Sequence, residues 1–146
     1  MSVHRREDDA FLNAPPAGGL GEDLDAWLDE AQQRTLYSAP LGADGTMHAF
    51  WCTPAQRLGW RQLAAIYGHG LQASGDQLVE LLIELDHLEQ AWTSDPTLTV
   101  ARAETPPDAD SATRVEVGRA HLTERAGVLR SAISIAIEAE AVLTIS

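Results

Sequence analysis

Residues 131–146 read SAISIAIEAEAVLTIS, with Glu138 and Glu140 as their only charged side chains. A stretch this apolar is not a solvated tail. Each aliphatic side chain left in water forgoes about 1.5–3 kcal/mol, so the segment must be covered by the rest of the chain or by a partner. Upstream of it, Val115, Gly118, Leu122, Ala126, Leu129, Ile133 and Ile137 recur at spacings of three and four, the seam of helix-on-helix packing. Val128, Ala132, Ile135, Ala139 and Val142 add a second apolar face. Ile133, Ile135, Ile137, Ala139, Ala141, Leu143 and Ile145 also alternate with period two, as a strand would. Abundant Ala and Glu favour the helix, which is predicted over 111–144.

Three further helices follow from apolar periodicity. Leu24, Trp27, Leu28 and Ala31 predict one over 20–34, with Glu22, Asp23 and Asp25 at its positive end. Thr53-Pro54 reads as a hydroxyl N-cap followed by proline in the first turn, opening a helix over 54–72 that places Trp60, Leu63, Ala64, Tyr67 and Leu71 on one face. Leu78, Leu81, Leu85, Leu88 and Trp92 stripe a helix over 76–92, with Val79 and Ile83 to one side. Between 35 and 52 the helical period is lost; Asp44-Gly45 suggests a small hairpin pairing 36–41 with 46–52, while Pro40 fits a loop equally well. The Pro- and Gly-rich residues 1–19 read as a flexible arm with Phe11 and Leu12 as a docking point. Thr105-Pro106-Pro107-Asp108 reads as a linker. The expected architecture is a mainly all-α, four-helix-bundle-like single domain over 20–146.

Charge narrows the choice of partner. The formal net charge is −12 and every basic residue is Arg, a bias typical of a high-GC bacterial genome. Nucleic acid and anionic membranes would repel such a surface, whereas a basic protein would not. No run approaches a membrane span and the N-terminus lacks an apolar signal core, which reads as a cytoplasmic protein. The single Cys52 precludes an intrachain disulfide and fits a reducing compartment.

Chemistry is thinly marked. Glu84-Leu-Asp-His87 has the Glu-x-x-His spacing of di-iron bundles, and Asp76, Glu80, Glu84 and His87 share an arc of about 80° on their helix. That arc lies opposite the leucine stripe, so a solvated acidic face competes with a metal set of Glu80, Glu84, His87 and His121. His69 sits between glycines that would let its backbone approach a ligand. Cys52 would share a strand face with His48 and precede a helix N-terminus, the setting of a thiolate, or else is a buried packing residue. No nucleophile-elbow, Walker-type or dinucleotide fingerprint occurs, and no cofactor is expected. The four tryptophans and the apolar terminal helix are either internal core or the anchors of a protein interface. The sequence therefore reads as an accessory subunit or binding module, docking on a larger protein of a biosynthetic complex as a heteromer, or pairing as a homodimer. Val128, Ala132, Ile135, Ala139 and Val142 would form the contact. A small helical-bundle enzyme or metalloprotein built on the Glu/His cluster is the competing class.

Overall fold

The structure is a computed structural model that describes residues 1–16, 21–42, 47–66, 70–94 and 111–145. Asp44-Gly45, Tyr67, His69 and the linker around Pro106 lie outside them. In chain order the elements are β1 (Ser2–His4), a 3-10 turn (Arg6–Asp8), α1 (Asp9–Leu12), α2 (Glu22–Arg34) and β2 (Thr35–Ser38). A π-helical segment (Met47–Cys52), α3 (Thr53–Leu58), α4 (Arg61–Ala65) and β3 (Leu71–Ala73) follow. The chain continues through α5 (Asp76–Ser94), α6 (Ser111–Glu138) and β4 (Val142–Ile145). It is mostly helical, as the periodicities predict, and it also carries a four-stranded antiparallel sheet in the order β2-β1-β4-β3.

The sheet corrects several expectations at once. Residues 1–16 are not an arm: β1 lies in the middle of the sheet, Val3 is fully buried opposite Leu143, and Ser2 pairs with both Ser38 and Thr144. The chain's two ends thus supply the two central strands. The 35–52 hairpin does not form, because Thr35–Ser38 pairs with β1 and Met47–Cys52 is helical. No loop separates α2 from β2: Thr35 Oγ1 donates to Ala31 O at 2.7 Å as the backbone turns extended.

The helix expected over 54–72 is divided. Gly59 takes a left-handed φ of 78° and closes α3, Trp60 is extended, and α4 restarts at Arg61, while Leu71 belongs to a strand. Nor is Thr53 an N-cap. The turn before it is already helical, and Thr53 Oγ1 donates to His48 O at 2.8 Å. Pro54 has no N–H to give Phe50 O one turn back. The Trp92 indole N–H supplies that carbonyl instead, at 2.7 Å.

α6 ends earlier than predicted, and both readings of the C-terminus hold in part. Glu140 adopts φ 52°, Glu140 N donates to Ile137 O, and Ala141 N donates to Ala136 O at 2.8 Å. This is a Schellman closure with buried Ala136 and Ala141 in the accompanying apolar contact. The chain then enters β4.

The leucine stripe of α5 and Leu122, Ala126, Leu129 and Ile133 of α6 are buried against each other, and Arg130 ion-pairs across the two helices with Asp86 and Glu89. The second face of α6 meets β1, β2 and β4. A sheet, in place of further bundle helices, closes the core, with α6 sandwiched between it and α5.

Candidate functional site

The most densely bonded polar cluster among the described residues is the α5 face bearing Glu80, Glu84 and His87. It is solvated only in part: Asp76 and His87 are exposed, Glu80 is half-buried and Glu84 is buried. The left-handed turn at Gly59 aims the first amides of α4 at α5, and Glu84 receives them. Its carboxylate accepts from Leu63 N at 3.0 Å and Gln62 N at 3.2 Å, and the residue is only 5% exposed. Helix-start amides lack intrahelical acceptors and carry partial positive charge, so a carboxylate delivered from another helix satisfies both needs. Burial nevertheless holds the Glu84 carboxyl above its ordinary range, outweighing the two amides that pull it down. One turn away, Glu80 accepts from Gln62 Nε2 at 3.1 Å and from Arg61 Nη2 at 3.1 and 3.2 Å, and these bonds hold its carboxyl below the ordinary range. The His87 ring stacks on Trp60, with centroids 5.9 Å apart.

These contacts occupy the carboxylates that a metal site would need. Glu84's two oxygens are committed to backbone amides and Glu80's to Arg61 and Gln62. His121 lies on α6, half-buried, and no group of His, Cys, Asp and Glu among the described residues has the geometry to hold a metal ion. His69 lies outside the described residues. Cys52 is fully buried at the end of the π-helical segment and His48 is exposed one turn earlier, so the two do not share a strand face. A thiol with no exposed surface cannot attack a substrate without the core opening.

The residues expected to form an interface are mostly covered within the chain. Ala132 and Val142 are buried, Val128 and Ile135 are half-buried against the core, and Ala139 alone is exposed. The sheet takes the face that sequence analysis assigned to a partner. Exposed apolar surface appears elsewhere. Val79 is 50% and Ile83 54% exposed, side by side on α5, and Ile137 and Leu28 are also open. Val79 separates two open troughs. One, of about 540 Å³, runs along α5 past Ile83 to His87, with Gly59 and Trp60 as its opposite wall and Asp76, Glu80 and Glu84 among its lining. The other, of about 530 Å³, lies between the start of α5 and the end of α6, where Ile137 and Glu140 meet Arg6.

A second cluster, which sequence analysis missed by reading 1–19 as an arm, tethers the N-terminus. Buried His4 shares a hydrogen bond with Asp9 (Nε2 to Oδ1, 2.9 Å), and Asp9 also accepts from Asn13 and Gln72. Arg34 pairs with Asp8 and Glu30 and lies 4.3 Å over the Phe11 ring, which stacks on Trp27. Phe11 is indeed a docking point, onto α2. Nearby, the Ser74 hydroxyl accepts from Arg6 at 2.9 Å. No helix among the described residues is long and apolar enough to cross a membrane. No family model, curated protein or solved structure matches the chain.

Proposed function

We propose that the protein is a non-catalytic, acidic binding module that docks on a larger protein. The observation that carries this reading is the apolar ridge of Val79 and Ile83, half-exposed between two troughs on an otherwise well-packed helix. Exposed aliphatic pairs flanked by clefts and bounded by charge are the ordinary composition of an interface core and its rim. The clustered carboxylates support it from the other side, because they are spent on holding α4 against α5 and so shape a surface instead of a reaction centre.

Affinity capture from the organism that makes it, comparing the wild type with a Val79→Ser/Ile83→Ser variant, tests the assignment. One protein should be retained in near-stoichiometric yield by the wild type and lost with the variant. Equal retention by both, or none by either, would overturn it.

A further inference from the structure

We infer that the trough between α5 and the Gly59–Trp60 corner receives a basic amphipathic helix of the partner protein. This rests on the binding-module reading and specifies its chemistry. Four positions on α5, Asp76, Val79, Ile83 and His87, follow one another at three- and four-residue spacing along the trough. They span about 16 Å, or three helical turns. That length suits anchors at i, i+4 and i+7 of an incoming helix. Val79 and Ile83 form an apolar floor and the Trp60 ring forms a wall, itself backed by His87.

Charge selects the occupant. Asp76, Glu80 and Glu84 line the trough, and no Lys or Arg among the described residues does. Arg61 at the rim is held by Glu80. Glu84 is turned to the amides of α4 and Glu80 to Arg61 and Gln62, which leaves exposed Asp76 to meet a cation. An arginine or lysine flanking the partner's apolar anchors would lay its stem on Val79 and its charge beside Asp76. A second copy of this chain is the poorer occupant, since two surfaces of net charge −12 would meet with their acidic stripes opposed. The chain's own 95–110 segment carries four acidic residues against one Arg and is disfavoured on the same ground.

The probe is a synthetic helical peptide of Leu and Arg with its leucines on one face, titrated into the full chain by fluorescence anisotropy. A peptide of the same composition with its leucines scattered, and a Leu/Glu helix, serve as controls. The segregated Leu/Arg helix should bind at least tenfold more tightly than either control. Ile83→Asp should weaken it at least tenfold although it makes the protein more acidic. Val79→Ser should weaken it without changing charge, and Asp76→Lys should weaken it while flattening the salt dependence. Both apolar positions are half-exposed, so unchanged circular dichroism is expected for these variants.

Tighter binding by Ile83→Asp, or equal binding of the scattered peptide, would reduce the interaction to net charge and overturn the inference. Sedimentation showing a wild-type dimer that Ile83→Asp dissociates would assign the trough to a second copy and overturn it as well. If a partner is captured through Val79 and Ile83 while the Leu/Arg helix shows no preference, the binding-module reading stands and the basic-helix assignment falls.

Discussion

Glu84 shows how one side chain can be misread from spacing alone. Its separation from His87 resembles a metal motif, yet its carboxylate closes the start of α4. Glu84→Ala would leave two amide donors without that acceptor, at a cost of about 2–3 kcal/mol in a urea melt. Glu84→Gln should cost less, because one oxygen remains to accept. The two glutamates also respond to pH in opposite senses. Glu84's carboxyl is raised in the folded state, so the fold binds its proton more tightly than the unfolded chain does, and this group's contribution to stability falls as pH rises from the ordinary carboxylate range through its raised value. Glu80's carboxyl is lowered, so its contribution is present above the ordinary range and is lost as pH falls through its lowered value. Stability measured from about pH 4.5 to pH 7 should therefore show the wild type losing ground against Glu84→Gln as pH increases. A constant gap between the two would remove burial as the dominant influence on Glu84.

At the scale of elements, the ends of helices decide what the periodicity leaves open. The alternation of isoleucines after Ile133 was compatible with helix or strand, and the chain uses both, divided at Glu140. A left-handed residue with a side chain is strained there, and glycine is the usual occupant. Glu140→Gly should accordingly raise stability by about 0.5–1 kcal/mol, read as a higher urea midpoint with unchanged helix content. A lower midpoint would mean that Glu140 makes a compensating contact. Gly59 is the reverse case: an added Cβ would meet nothing within 4 Å, but φ 78° strains any L side chain. Gly59→Ala should cost about 1 kcal/mol through the backbone alone. The division of 54–72 was readable in principle from Gly59, which sits inside an otherwise helical pattern.

For the whole molecule, the decisive fact is that β1 and β4, from opposite ends of the chain, lie side by side. Pairing so distant in sequence bears a large loop-closure cost before any contact forms. The sheet is therefore expected to complete late, after α5 and α6 have packed. Val3→Ala should cost about 2–3 kcal/mol and appear mainly as faster unfolding, with the folding rate little changed, in stopped-flow urea experiments. An equal slowing of folding would place β1 in the folding nucleus. What the sequence by itself determined was the helical majority, the buried stripe of α5 and the α6 seam from Leu122 to Ile133, because a 3.6-residue period is a local pattern that needs no knowledge of neighbours. Only the tertiary structure decided that a sheet covers the second face of α6, that Glu80 and Glu84 seat α4, and that Val79 and Ile83 stay exposed. Strands of three and four residues carry almost no periodic signal, and which partner an apolar or acidic face meets depends on contacts between residues far apart in the chain.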